Sequence, residues 1–573
     1  MAMTYEEACA EVTLPGRFFE VGTQAIDGVD YRVFKNAPST LAQLFAGARD
    51  DESTFLVYEE ERWSFTETAR HIDALAHALV HTFGVKKGDR VGIAMRNLPE
   101  WIVSFAAILS IGAVSVSLNA WWTESELDYA LDDSGTAVLI VDAERVGRAH
   151  GPARRRQVPI IAVRTAAAGP HPGGVHRYED VVRLGDPMPA AVVLPDDDAT
   201  ILYTSGTTGF PKGAVSTHRA VTQALMAFWA RTAILSARRG RGGEAHAADS
   251  PPQCFILIVP LFHVTGCVPV MLSCFGLKMK LVMMYRWDPE VALGLIEAER
   301  VTAFVGVPTQ SWDMLESPAF SKYDTSSLAT VGGGGAPAPV KLVERVENSF
   351  ARGRPNIGYG MTETNAFGPG NTGDDYVSHP SSTGRASFPT VDVEIRDDQR
   401  APVPVGSRGE IWMKGPNLFR GYWNKPEATA EVLLDGWLAT GDLGRIDAEG
   451  FLYIEDRAKD MVIRAGENVY CAEVESAVYE HPGVYEAAVF GVPDERLGEE
   501  VACVISRRPQ SSLDARELQR FLAGRLSAFK IPSRIEFSDD RLPRNPSGKI
   551  LKRELREAYF TAATSLGFPD APH

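Results

Sequence analysis

Apolar and polar positions along this chain follow two rhythms. Short runs at 90–94, 137–141 and 200–204 alternate or stay apolar throughout, the pattern of buried strands. Between them, 65–83 and 124–132 repeat apolar residues at helical spacing. Strands and helices in alternation predict an α/β fold with parallel sheets. The stretch 101–122 has no charged side chain and is the candidate for a membrane span. Ile102, Phe105, Ala106 and Leu109 mark one helical face up to Gly112, and 113–118 then alternates as a strand. Its reading is therefore helix, turn and buried strand.

The rhythm breaks in three places. A Pro/Ala/Gly-rich patch at 164–197 reads as a surface connection between layers. A second irregular patch, 237–252, carries Arg238, Arg239 and Arg241 and reads as a solvated, mobile insertion. The third break, at 456–460, follows a strand at 451–455. Beyond it come a helix at 473–480, strands at 486–492 and 501–505, and a helical face of Leu518, Phe521, Leu522 and Leu526. That is an α+β unit of about a hundred residues, enough to fold separately. The chain is thus expected to divide into 1–458 and 459–573.

Composition narrows the class. At 573 residues the chain exceeds one ordinary core. Its 45% hydrophobic and 23% charged residues are those of a soluble globular protein. A formal net charge of −16 argues against a nucleic-acid partner, but not against a polyanionic substrate in a locally basic site. The six cysteines form no C-x-x-C pair, which points to a reducing compartment and no zinc. The first residues lack the basic and apolar regions of a secretory signal. A cytoplasmic protein without a transmembrane segment is expected; peripheral membrane contact, monomer and homodimer all remain compatible.

The candidate chemistry centres on Tyr203-Thr-Ser-Gly-Thr-Thr-Gly-Phe-Pro-Lys-Gly213. Bare backbone N–H groups, hydroxyls and a lysine are the donors that close around phosphate oxygens. Val221, Ala224, Leu225, Phe228 and Trp229 then lie on one helical face, so strand, glycine loop and helix are expected in sequence. It is not a Walker loop, because Pro211-Lys212 follows Gly206 at the critical spacing and Gly213 stands where Ser or Thr is needed. No G-x-G-x-x-G dinucleotide fingerprint occurs here either.

The loop resembles the signature of the adenylate-forming superfamily. Further motifs stand in that family's order: Phe262-His263, Gly334-Gly-Ala-Pro337, Tyr359-Gly-Met-Thr-Glu363, Thr440-Gly-Asp442, Asp456-Arg-Ala-Lys-Asp460, Gly466-Glu-Asn468 and Pro543-Arg-Asn-Pro-Ser-Gly-Lys549. The resemblance covers nearly everything after about residue 40. It implies a large multi-subdomain N-terminal domain with mixed sheets and a barrel-like part, plus a small mobile lid hinged at Lys459. It also implies activation of a carboxylic acid by ATP and Mg²⁺ through an acyl-adenylate, then transfer to coenzyme A.

The resemblance distributes roles as follows. Thr204, Ser205, Gly206, Thr207, Thr208, Gly209 and Lys212 hold the β- and γ-phosphates. Glu363 ligates Mg²⁺, whose hard charge suits a carboxylate oxygen. Tyr359 stacks on adenine beside Gly334, Gly335, Ala336 and Gly360. Thr362 donates to the α-phosphate, Asp442 accepts from the ribose hydroxyls, and Arg457 reaches the ribose or phosphate. His263 gates the acyl pocket, Gly466 lines a pantetheine channel, and Lys549 neutralises charge between carboxylate and α-phosphate.

For the acid itself, 226–229, 263–268, 306–311 and 332–336 are expected to line the pocket. Phe262, Val264, Val307 and Trp312 make it apolar, and Gly332 to Gly335 leave it depth. No buried cation is evident for a second carboxylate, which favours an apolar monocarboxylic acid, fatty or similar. An aryl acid, or a carrier-protein or amine acceptor, stays open as the alternative. Cys471 stands where relatives commonly carry proline, and Ala439 where a basic or aromatic residue is frequent; the aromatic string Asn119-Ala-Trp-Trp-Thr123 has no counterpart in this scheme.

Overall fold

The computed structural model describes residues 3–166, 172–204, 211–240, 253–336, 338–457, 460–464, 467–494, 496–545 and 548–565. Two eight-stranded sheets dominate it. In the first, Val114–Ser117, Arg90–Ala94, Val138–Asp142, Ile160–Val163 and Val175–Arg177 run parallel, and Asp198–Thr204 joins them in parallel beside Val114–Ser117. In the second, Thr54–Tyr58, Lys280–Met283, Cys254–Leu257, Ala303–Gly306, Thr330–Gly334 and Arg354–Gly358 are parallel. Antiparallel strands close one edge of the first sheet and both edges of the second. Both faces of such parallel sheets must be covered, which is why their strands read as continuous apolar runs.

The helix Pro99–Ser110 explains the uncharged stretch. It packs into the core shared by both sheets, and every residue from Pro99 to Leu109 is buried. Glu100 survives there because Arg164 pairs with it at 2.9 Å. Among the described residues no helix is long and apolar enough to cross a membrane. The patch at 164–197 is less irregular than its composition suggests, since Val175–Arg177 adds a strand to the first sheet.

The barrel-like part takes the form of a six-stranded antiparallel sheet, whose strand path among the described residues is open. It runs Gly384–Arg385, Phe451–Arg457, Trp437–Ile446, Gly409–Lys414 and Asp392–Arg396, with Leu433–Leu434 alongside. Beyond it, Val484–Asp494 and Gly498–Arg507 pair antiparallel as the centre of a five-stranded sheet. Helices Cys471–Tyr479 and Ala515–Ala523 belong to the same unit, which has its own apolar cluster around Val474, Val489 and Leu518. Leu526 packs on that cluster from beyond the helix end.

One sequence expectation changes. Arg238 is not part of a solvated insertion: it ends the helix His218–Arg238 and pairs with Asp375 at 2.6 Å. Residues 241–252, including Arg241, lie outside the described residues. Cys471 is fully buried at the first position of its helix, where proline fits because the N–H needs no helical partner. Its N–H is instead bound by Asp456, its thiol donates to the Asp460 carbonyl at 3.0 Å, and burial pushes its pKa well up. A buried thiol of that kind is unreactive toward oxidants.

Candidate active site

The phosphate-loop candidate begins at Thr204 and returns at Lys212, and its surroundings correct the expected layout. Asp198–Thr204 does not lead through the loop into a helix. It pairs antiparallel with Lys212–Thr217, with Thr204 opposite Lys212. The helix His218–Arg238 starts only after the second strand. A whole strand thus separates the candidate loop from the helix N-terminus. Ser205, Gly206, Thr207, Thr208 and Gly209 lie outside the described residues.

The strand pair is pinned to the helix Glu124–Ser134. The Tyr203 hydroxyl donates to Asp133 at 2.7 Å, and the Tyr129 hydroxyl donates to the Pro211 carbonyl at 3.2 Å. Asp133 also receives Lys425 at 3.1 Å. Trp122 meets the Tyr203 ring edge-on at 5.6 Å, and Trp121 covers Arg96 at 4.3 Å while meeting Phe262 edge-on. This gives the aromatic string at 119–123 its structural account: it buttresses the strand Asp198–Thr204 on one side and Phe262 on the other.

Tyr422, which the motif reading missed, ties two of the expected residues together. Strand Gly421–Tyr422 lies beside Lys212–Thr217. The Lys212 ammonium lies over the Tyr422 ring at 4.9 Å, and the Tyr422 hydroxyl donates to Glu363 Oε1 at 2.7 Å. Glu363 is 5% exposed, and burial raises its pKa against the lowering effect of that bond. Its backbone carbonyl accepts from Phe419 N–H at 2.8 Å, which fixes the turn Thr362–Thr364. Replacing Tyr422 by phenylalanine removes a charge-assisted bond from a buried carboxylate. The expected outcome is a roughly tenfold rise in the Mg²⁺ concentration needed for half-maximal ATP–pyrophosphate exchange.

On the nucleotide side, the Tyr359 hydroxyl donates to Asp442 Oδ2 at 2.6 Å. Arg457 Nε lies 3.4 Å from Asp442 Oδ1, from the position opposite Asp442 in the neighbouring strand. The Asp442 N–H is held by Thr440 Oγ1 at 3.1 Å. Asp442 is thus oriented by Tyr359 and Arg457 at its carboxylate and by Thr440 at its N–H. For Tyr359→Phe, the ring remains but the carboxylate loses its anchor; KM for ATP is expected to rise roughly fivefold with little change in kcat, measured by initial rates.

Gly334, Gly335 and Ala336 follow one another at the end of the strand Thr330–Gly334, paired at Gly334 with Gly358, next to Tyr359 and Gly360. Of Gly332 to Gly335, expected to leave pocket depth, only Gly335 has open space beside it; the other three are crowded by backbone. A Cβ on Gly332 would come within 2.0 Å of the Asn356 carbonyl oxygen, and one on Gly333 within 1.8 Å of that of Gly306. Glycine is required there for the backbones of adjacent strands to approach, not to hollow a pocket. Trp312 also differs from expectation, lying beneath Arg345 and Arg508 rather than in an acyl pocket. His263 stands at a turn where its Nδ1 accepts from Thr265 N–H at 3.3 Å. Burial lowers its pKa to about 4, so it is a neutral ring, and among the described residues no hydrogen bond or ion pair joins it to the nucleotide side.

Lys549 comes into this region from the C-terminal unit. Arg544 pairs with Glu486 at 2.7 Å and donates to the Gly548 carbonyl at 2.6 Å, and Asn545 closes a tight turn with Lys549 at 2.8 Å. Gly548 has φ +82° and lies against Val307 of the large domain. Desolvation, then the nearby Arg457, lowers the Lys549 pKa to about 8; Asp460 and Asp442 oppose the shift. The seam is fastened by Arg541 and Tyr485 on Asp313, at 2.7 and 3.1 Å, and by Arg508 on Glu316 at 2.6 Å. Lys459 and Gly466 lie outside the described residues.

Comparison with known proteins gives the class first. The profile of the AMP-binding enzymes matches residues 45–423, and that of the AMP-binding enzyme C-terminal domain matches 473–549. A feruloyl-CoA synthase of an Amycolatopsis species is 37% identical, covering 87% of this chain and 94% of its own. The long-chain-fatty-acid–CoA ligase FadD13 of Mycobacterium tuberculosis is 34% identical, covering 88% and 95%. ATP-bound MatB from Rhodopseudomonas palustris superposes with a TM-score of 0.79 at 30% identity, over 91% of this chain and 99% of that one. The anthranilate CoA ligase AuaEII, with anthranoyl-AMP, gives 0.80 at 25% identity, over 92% and 98%. The chain belongs to the AMP-binding enzyme family, the adenylate-forming superfamily, in its acyl-CoA ligase branch.

Proposed function

We propose that this enzyme converts a carboxylic acid with an apolar body into its CoA thioester through an acyl-adenylate, with residues up to 458 forming the nucleotide and acid site and those from 459 forming a lid. The observation that carries this reading is the half-buried Lys549, brought by its turn near enough to Arg457 and Asp442 to feel their charges. A carboxylate oxygen attacks the α-phosphorus of ATP and the bond to pyrophosphate breaks. Negative charge gathers on the α-phosphoryl oxygens, and Lys549, Thr362 and Lys212 offset it. The thiol of CoA then attacks the acyl carbon, its proton leaves to solvent, and AMP departs.

Each residue has a task in that scheme. Tyr359 presents a ring to adenine while Asp442, held from both sides, accepts from the ribose. The loop at 204–209 wraps the outer phosphates from a strand pair that Asp133 and Tyr129 hold still. Mg²⁺ enters with the nucleotide. No group of three or more metal-binding side chains occurs among the described residues. A single buried carboxylate, Glu363, suits an ion whose other ligands are phosphates and water. For thioester formation the lid turns about Lys459, Lys549 withdraws, and Gly466 comes to the thiol channel, with neutral His263 beside the acid. Because the relatives include an aryl and a fatty-acid CoA ligase, the acid's body is read as apolar without a choice between ring and chain.

The test is ATP–pyrophosphate exchange across a panel of acids, followed by AMP release with and without CoA. Exchange with at least one acid and AMP release that needs CoA are expected. Failure of every acid to support exchange sinks the reading, and steady turnover without CoA replaces the acceptor.

A further inference from the structure

Behind the wall that carries Tyr359 lies a second cavity. Tyr359 N–H donates to the Pro369 carbonyl at 2.8 Å, so residues 368–370 present one side to the nucleotide region and the other to this cavity. Tyr5, Phe367 and Phe388 are among its walls, and Arg231 and Arg385 enter it from two directions. Arg231 belongs to the helix His218–Arg238, one turn beyond the 226–229 segment expected beside the acid. Arg231 is a half-buried cation close to that segment.

The charges in this cavity do not balance locally. The Arg231 guanidinium donates to the Gly368 carbonyl and lies 4.4 Å from the Phe367 ring centroid, yet no described carboxylate pairs with it. Its side chain is half-buried and lines the cavity, and desolvation lowers its pKa to about 10. Arg385 gives one N–H to the Glu449 carbonyl at 2.9 Å, while its Nε is buried without a hydrogen-bond partner. Two carboxylates lie near Arg385: Asp375, itself in the cavity wall, at 3.9 Å and already bound by Arg238 at 2.6 Å, and the exposed Glu6 at 4.0 Å; Arg231 has neither. A guanidinium withdrawn from water without an anion is costly, whereas a planar carboxylate matches its donors two at a time.

We infer that this cavity is a subsite for a second carboxylate, at the far end of the acid that the enzyme adenylates, held by Arg231 with Arg385. The inference rests on the acid-activating reading and narrows it, from a carboxylic acid with an apolar body to one whose apolar body ends in a second carboxylate. The aromatic walls would pack along the body and the two guanidiniums would close on the terminal group.

The experiment compares straight-chain monocarboxylic acids with α,ω-dicarboxylic acids of the same length, using the full-length enzyme and ATP–pyrophosphate exchange. At one matched length the diacid is expected to exceed its monoacid by at least about tenfold in kcat/KM. Arg231→Gln is expected to cost the diacid about tenfold or more, and the monoacid much less, with Arg231→Lys recovering part of the preference. Arg385→Gln, at the end of a two-residue strand, should move the preference in the same direction and serves if Arg231→Gln fails to fold. Exchange with monoacids but no diacid preference at any length overturns this inference and leaves the acid-activating reading intact. Equal losses for both acids in Arg231→Gln assign Arg231 to holding residues 367–370 and overturn it as well. Activation of monoacid turnover by added succinate would place a separate anion in the cavity, and that too overturns it.

Discussion

Lys549→Met is expected to lower ATP–pyrophosphate exchange by roughly two to three orders of magnitude, while thioester formation from a supplied acyl-adenylate persists. The substitution keeps the length and apolar stem of the side chain and removes only the charge. That charge is already poised: burial and Arg457 bring the lysine's pKa down to about 8 before any nucleotide binds. Only the protonated form can offset phosphate charge, so the sign of the pH effect follows. In the free enzyme the cation is full below that value and lost as pH rises through it. The pH profile of kcat/KM for adenylation should thus be flat below about 8 and fall about tenfold per unit above. Bound ATP brings negative charge to the lysine, which displaces the corresponding limb of kcat to higher pH. A profile of kcat/KM without this limb, or a methionine variant with near-normal exchange, removes Lys549 from the first step.

Gly548→Ala is expected to impair the same half-reaction by roughly thirty- to a hundredfold. Two independent penalties meet at this position. Its φ of +82° is a conformation that costs an L-residue about 1–2 kcal/mol. The added methyl would also lie 2.7 Å from Val307 Cγ2, inside contact distance. The turn relaxes by moving away from Val307, and Lys549 moves with it. Because the clash exists only where the lid meets the large domain, thioester formation from supplied adenylate should be spared. A variant equally slow in both half-reactions would point to a misfolded lid instead, and its melting temperature would tell.

Much of this arrangement was legible in the residues. The parallel strands announced themselves because both their faces are covered, as Val138–Asp142 shows by being buried throughout. The uncharged stretch at 101–122 separated into helix and strand because Gly112 and the alternation after it outweigh mean hydropathy. Motif spacing brought Asp442, Glu363 and Lys549 forward as candidates. What spacing could not convey was pairing. Lys212–Thr217 follows a glycine loop just as a helix would, and only its partnership with Asp198–Thr204 makes it a strand. Tyr422 carries no chemistry of its own in sequence; it matters because Glu363 lies 59 positions away and 2.7 Å from its hydroxyl. Arg231 escaped for the converse reason, since an arginine amid a helix reads as solvated until the surrounding rings are seen.

The crowding between strands Ala303–Gly306, Thr330–Gly334 and Arg354–Gly358 has a consequence for how this scaffold can diversify. With carbonyl oxygens within 2.0 Å of where side chains at Gly332 and Gly333 would begin, that floor is closed to sculpting: any residue larger than hydrogen pries the sheet apart. New appetites for other acids, whether acquired by natural drift or installed by engineers, must therefore be written at positions other than these two glycines.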